Sequence, residues 1–80
     1  MKTIDAVVIR IVELAQEKNM SFNSIAINAG LPPSTLKNIL DGNSKNPGII
    51  TIKIICEGLR ISIRDFFDSD LFSDLEQEIF

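Results

Sequence analysis

Residues 21–42 of this 80-residue chain read SFNSIAINAGLPPSTLKNILDG, and most of the architecture can be worked out from them. The hydroxyl of Ser21 is well suited to cap the N-terminus of a helix. Gly30 can take the left-handed backbone conformation in which many helices end. These two residues predict a helix of about two turns over residues 22–29.

A second short helix follows almost at once. Pro33 suits the first turn of a helix, where its missing N–H costs nothing, and Leu36 and Ile39 continue with helical spacing. They predict a helix over 33–41, which is followed by a loop of turn-forming residues up to Gly48. Two short helices joined by a tight, glycine-containing turn match the helix-turn-helix motif of DNA-binding proteins.

Hydrophobic spacing also predicts helices on both sides of the motif. They are expected at 4–18 with Thr3 as N-cap, at 49–59, at 63–67 with Ser62 as N-cap, and at 74–80 with Ser73 as N-cap. The β-branched run IITIKII at 49–55 alone would favour a strand. Because Ile52, Ile55 and Leu59 fall on one helical face, we predict a helix there and an all-α fold.

Composition excludes several classes of function. The chain has no histidine and a single cysteine, Cys56, so the usual zinc ligand sets, an internal disulfide and every Ser-His or Cys-His nucleophile are missing. Cys56 is expected to be a small core residue. We therefore expect no enzyme, no cofactor, no metal and no small-molecule substrate.

The sequence also bears on localisation. Its apolar runs are only four or five residues long, and its N-terminus has no signal-peptide features. We therefore predict a cytoplasmic protein without a membrane span.

The net charge of −3 is distributed unevenly along the chain. Residues 1–67 hold all eight basic residues against six acids, whereas residues 68–80 hold five acids and no base. We therefore divide the chain into a domain over 1–67 and an acidic tail over 68–80.

Four apolar tail residues have a spacing that could place them on one helix face: Leu71, Phe72, Leu75 and Ile79. The tail is expected to pack on its own domain or to mediate dimerisation, away from the DNA-reading helix.

Residues 7–67 resemble the DNA-binding domains of the Cro and C1-type repressors, also called the XRE family. The resemblance is carried by RIVEL at 10–14, by Ser21 with Ile25 and Ala26, by AGL at 29–31, by STLKNI at 34–39 with Gly42, by Asn46-Pro47, and by LRISIRDFF at 59–67. It implies a lambda-repressor-like bundle of five short helices, with room for a short C-terminal helix.

The resemblance also implies how DNA would be bound. The helix over 33–41 would enter the major groove, while the N-terminus of the helix over 22–29 would abut the phosphate backbone. The residues that match base-reading positions are Pro33, Ser34, Lys37 and Asn38. The expected phosphate contacts are Ser21, Asn43, Ser44 and Lys45.

Individual roles follow from side-chain chemistry at these positions. Asn38 is suited to a bidentate pair with adenine, Lys37 to guanine or a phosphate, and Ser34 to either base type. Pro33 can offer only apolar contact, such as contact with a thymine methyl group. The alternative is that Lys37 and Asn38 are ordinary solvent-facing residues and that Ser34 only satisfies backbone donors in the first turn.

Two positions depart from the family pattern. Phe22 stands where the family often has a glutamine that touches the backbone, and it is expected either to pack as a staple or to leave an apolar spot at the interface. Leu40 stands where the family usually has an acid that pairs with the arginine equivalent to Arg10.

Together these observations favour a homodimeric regulator, most simply a repressor, that binds double-stranded DNA at a roughly palindromic operator. The alternative is a protein-interaction module of the same fold, such as an antirepressor or a toxin-antitoxin component, without specific DNA binding of its own. The negative net charge and the sparse basic residues near the reading helix favour this alternative.

Overall fold

A computed structural model describes residues 1–79 and shows an all-helical chain, with no strand in that range. It contains five α-helices and one short 3₁₀-helix: α1 Thr3–Glu17, α2 Phe22–Ala29, α3 Pro33–Leu40, α4 Ile49–Leu59, α5 Ile63–Phe67 and the 3₁₀-helix Asp70–Phe72. The predicted all-α fold of five helices is confirmed, and the ends of the five α-helices lie within one residue of their predicted places.

Local capping explains where the short helices begin and end. The Ser21 hydroxyl accepts a hydrogen bond from the Ser24 amide at 3.0 Å, and the Ser62 hydroxyl accepts one from the Asp65 amide at 3.0 Å. Gly30 ends α2 with φ at 74°, a left-handed conformation that costs glycine little. The caps predicted at these three positions are therefore present.

The start of α1 differs from the prediction. Thr3 is already helical, and Lys2 takes the N-cap position, where its amide donates to the Asp5 carboxylate at 3.0 Å. The Thr3 amide and hydroxyl instead donate to the Glu78 carboxylate at 2.9 and 3.0 Å. Thr3 is therefore not the cap of α1, because it is the first residue inside the helix. Its donors are bound by a carboxylate from the far end of the chain.

Helix α4 supplies a large part of the core. Ile52, Ile55 and Leu59 are buried, while Ile50 at its N-terminus is 69% exposed. This pattern fits one face of a helix, whereas an alternating strand would place Ile50 and Ile52 on the same face. The core is formed by Val7, Ile11, Leu14, Ala15, Ile25, Ala26, Leu36, Ile39, Ile52, Ile55, Cys56, Leu59 and Phe66. The helical interpretation of 49–59 is confirmed, and Cys56 is buried as predicted.

Helices α2 and α4 pack at unusually close range. Gly58 is buried in α4, and a Cβ atom at this position would overlap the Ile25 carbonyl oxygen of α2. It would also lie 2.8 Å from the Ala29 Cβ and 3.2 Å from the Ala29 amide nitrogen. The absent side chain lets the first helix of the motif pack directly on the α4 backbone.

The C-terminal segment folds back on the start of the chain. Ser69 caps the 3₁₀-helix, and Phe72 packs on α5, with its ring centroid 4.9 Å from that of Phe67. Beyond it, the Glu76 amide donates to the Met1 carbonyl at 3.0 Å. The C-terminal helix predicted from Asp74 is wrong for the described residues 74–79, which contain no helix; its last predicted residue lies outside them.

Candidate nucleic-acid interface

Helix α3 has a sharply divided surface. Leu36 and Ile39 are 1% exposed and hold the helix against the core. The residues predicted to read bases lie on the opposite face and are all exposed: Pro33, Ser34, Lys37 and Asn38. We call these four residues the reading face. Its polar edge is open to solvent and free to enter a groove about 12 Å wide.

One residue of the reading face pairs with the residue that caps the C-terminus of the helix. The Lys37 ammonium donates to the Asp41 carboxylate at 2.9 Å, four residues along the chain. This hydrogen bond, together with the negative charge of Asp41, raises the pKa of Lys37 above its ordinary value of 10.5. Lys37 is therefore charged at neutral pH, and the Asp41 carboxylate takes up one of the three donors of its ammonium group.

The N-terminus of α2 presents unpaired amides beside the exposed Ser21. The first helical hydrogen bond of α2 runs from the Ile25 amide to the Ser21 carbonyl at 3.0 Å, and the Ser21 hydroxyl accepts from Ser24. The amides of Phe22 and Asn23 precede these bonds and point out of the helix end. Such amides suit a phosphate oxygen, because the N-terminus of a helix also carries partial positive charge.

The loop after α3 is anchored on the backbone of the reading helix. The amides of Asn43 and Ser44 both donate to the Asn38 carbonyl, at 2.9 and 3.0 Å. Asn43 and Lys45 are exposed, while Ser44 is half-buried. Of the predicted phosphate contacts, Ser44 is therefore the least accessible.

Arg10 has a structural role that the sequence analysis did not predict. Its Nε donates to the Phe66 carbonyl at 2.7 Å, and a terminal nitrogen donates to the Asp65 carbonyl at 2.8 Å. Leu40, at the position where the family has an acid, is half-buried against the core. The arginine thus binds backbone carbonyls in α5 in place of a carboxylate, and no sequence pattern marks carbonyls as its partners.

A further aromatic side chain lies near the interface. Phe22 is 41% exposed and lines a mainly apolar groove, whose other lining residues are Asn23, Pro33, Leu36, Lys37, Leu40 and Asp41. Of the two interpretations left open for Phe22, the structure favours the apolar spot beside the reading helix.

Part of the acidic tail also lies close to the predicted phosphate contacts. Glu78 lines a groove together with Lys45, Asn46 and Pro47. We expected the tail to lie away from the DNA-reading helix, yet this carboxylate shares a groove with the loop that follows that helix.

Residues 1–79 contain no group of side chains that could hold a metal ion. Within the same residues, no helix has the length and apolar character needed to cross a membrane. The accessible polar surface around α2, α3 and their loop is therefore the best-defined candidate site in the described part of the chain.

Comparison with known proteins agrees with this geometry. Residues 10–70 match the model of the Cro/C1-type helix-turn-helix DNA-binding domain. No curated protein matches significantly. Among solved structures, prophage Lp1 protein 11 is 38% identical with a TM-score of 0.79, and the match covers 94% of this chain and all of that one.

A second solved structure is a tyrosine-to-phenylalanine mutant of the restriction-modification controller protein C.Esp1396I. It is 28% identical to this chain with a TM-score of 0.72, and the match covers 84% of this chain and 86% of the other. The family match spans the whole motif and most of the chain, and α2, its turn and α3 have the geometry that such domains require. This chain therefore belongs to the Cro/C1-type helix-turn-helix DNA-binding domain family.

Proposed function

We propose that this protein is a sequence-specific regulator of transcription, most simply a repressor, that acts in the cytoplasm as a homodimer on double-stranded DNA. The observation that carries the proposal is the exposed reading face of α3. Buried Leu36 and Ile39 fix the helix from behind, so that its polar edge has a defined orientation. A fixed row of polar side chains is what the recognition of base edges requires.

The proposal assigns a different task to each part of the surface. Asn38 pairs with adenine, Lys37 reaches guanine or a phosphate, and Ser34 contacts either base type. Phosphates are bound by Ser21 with the free amides of α2, and by the loop residues Asn43, Ser44 and Lys45. Half-buried Ser44 would bind chiefly through small adjustments of the loop.

Dimerisation follows from the small number of positive charges in the proposed interface. Only two basic residues, Lys37 and Lys45, lie among the proposed contacts, and Lys37 already has Asp41 as a partner. One copy would therefore neutralise few phosphates and bind weakly at physiological salt. Two copies related by a two-fold axis would read two half-sites about one helical turn apart. The similarity to a restriction-modification controller protein agrees with a regulatory role.

The test is selection of bound sequences from a pool of random duplexes by the full chain. We expect enrichment of one short palindrome and an affinity that falls steeply as salt rises. If no sequence is enriched even at low salt, the hypothesis of a protein-interaction module replaces this one.

Two substitutions then test the division of tasks. Asn38→Ala should relax the preference at one base position, whereas Lys45→Ala should weaken binding to all sequences alike and reduce the salt dependence. Lys53→Ala is the matched control, because Lys53 is exposed on α4 and lies 3.5 Å from Glu57, outside the proposed interface. Equal effects of Asn38→Ala and Lys45→Ala on every sequence would contradict the assignment.

A further inference from the structure

An apolar notch lies between the first turn of α2 and helix α3, beside the reading face. Phe22 and Pro33 are its exposed walls, and Leu36 and Leu40 lie deeper, where they are buried and half-buried. Asn23 and the ion pair of Lys37 with Asp41 complete its lining. We call this feature the α2–α3 notch.

The exposed ring of Phe22 lies beside the reading face. Its ring is 41% exposed at the first position of α2, next to amides suited to a phosphate. Leaving that much aromatic surface in water costs free energy that burial against a partner would recover. The notch is continuous with the reading face through Pro33, so a partner of the reading face would also cover Phe22.

The chemistry of the major groove restricts what can cover it. Base edges there present hydrogen-bond donors and acceptors, together with one apolar group, the 5-methyl group of thymine. The exposed side chains of Phe22 and Pro33 offer a partner only carbon, whereas the polar side chains of the lining are those of Asn23, Lys37 and Asp41. A methyl group is also small enough to enter a shallow notch beside the helix.

We propose that the α2–α3 notch receives the 5-methyl group of a thymine, so that Phe22 and Pro33 together determine a preference for thymine at one position in each half-site. This inference rests on the proposed function, because it needs α3 in the major groove. It adds Phe22, from the preceding helix, to the residues that select sequence.

The test uses the full chain and the duplex enriched by selection. Each thymine is replaced in turn by deoxyuridine, which removes the methyl group and leaves every hydrogen-bonding group in place. We expect one replacement per half-site to weaken binding about fourfold, the value for one buried methyl group. Replacements at the other thymines should change the affinity much less.

Substitutions connect that effect to the notch. With Phe22→Ala, the thymine and uracil duplexes should bind almost equally, whereas Phe22→Leu keeps an apolar wall and should keep most of the preference. Ile27→Ala is the matched control, because Ile27 is 65% exposed on the same helix but lies about 140° around its axis from Phe22. The Ile27 variant should keep the fourfold ratio.

The outcomes separate this inference from the proposed function. Enrichment of a palindrome in which no uracil replacement matters would overturn the inference and leave the proposed function intact. Equal weakening of the thymine and uracil duplexes by Phe22→Ala, with the preference unchanged, would place the ring against the sugar-phosphate backbone and also overturn it. If no duplex is selected at all, the proposed function fails and the inference fails with it.

Discussion

Replacing Gly58 by alanine tests whether the close packing of α2 on α4 is essential. Alanine favours a helix over glycine by about 1 kcal/mol, so the change would stabilise α4 if space allowed. The new Cβ would instead overlap the Ile25 carbonyl oxygen and lie 2.8 Å from the Ala29 Cβ. A backbone carbonyl cannot rotate out of the way as a flexible side chain can, so α2 itself must shift.

The steric cost should exceed the gain in helix propensity. Overpacking a core by one methyl group costs about 1–3 kcal/mol of stability. The cost is expected in the upper part of that range here, because the new methyl group would meet backbone atoms. Subtracting about 1 kcal/mol of propensity leaves a net loss of about 1–2 kcal/mol. For a domain of this size, such a loss lowers Tm by about 5–15 °C.

Urea denaturation followed by far-ultraviolet circular dichroism measures this loss. Gly48→Ala is the control, because a Cβ there meets no atom within 4 Å, and only a modest N-cap effect of under about 1 kcal/mol is expected. If Gly58→Ala is as stable as the wild type or more so, helix propensity outweighs the contact with Ile25, and our account of the packing is wrong.

Four further predictions follow from contacts described above. Arg10→Lys should destabilise the fold by about 1–2 kcal/mol in urea denaturation, because an ammonium cannot reproduce the two guanidinium bonds to the Phe66 and Asp65 carbonyls; an unchanged midpoint would contradict this. Cys56 should react with a thiol reagent only on unfolding, since burial raises the pKa of its thiol above 9.0; rapid labelling of the native protein would be the contrary result. The Thr3 amide and hydroxyl lower the pKa of Glu78 below 4.5, so this tail contact should persist at neutral pH and be lost as the pH falls below 4.5; a Thr3 amide resonance that does not titrate in acid would refute it. Asp41→Asn should raise affinity for all duplexes by releasing Lys37, measured by fluorescence anisotropy at low salt, and unchanged affinity would mean that the ion pair does not compete with DNA.

What the sequence predicted correctly was local. Ser21 and Ser62 each satisfy an amide three residues away, and Gly30 ends its helix within its own turn. Such contacts are fixed by spacing along the chain, so their effect on helix ends can be read before any tertiary structure is known. Leu36 and Ile39 were likewise predictable as buried, because helical periodicity places them on one face.

What the sequence did not predict depends on residues far apart. The carboxylate of Glu78 accepts from both donors of Thr3, which lies 75 residues away, and Lys2 takes the N-cap position expected for Thr3. Arg10 binds carbonyls more than 50 residues away, and every residue offers a carbonyl, so no motif identifies such a partner. The pairing of Lys37 with Asp41 is local, with a spacing of four at the end of α3, so it differs from these long-range contacts in being visible as a pattern in the sequence.

The anchoring of the loop at Asn38 has a consequence for how new operators could be recognised. The amides of Asn43 and Ser44 hold the main-chain oxygen at position 38, not its side chain. Every amino acid supplies that oxygen, so under the proposed function an exchange of the residue at 38 would alter the preferred base and leave the hydrogen bonds that hold the loop unchanged. Under the same proposal, a single codon change at position 38 would change the target sequence without altering the loop that aligns the protein on the duplex.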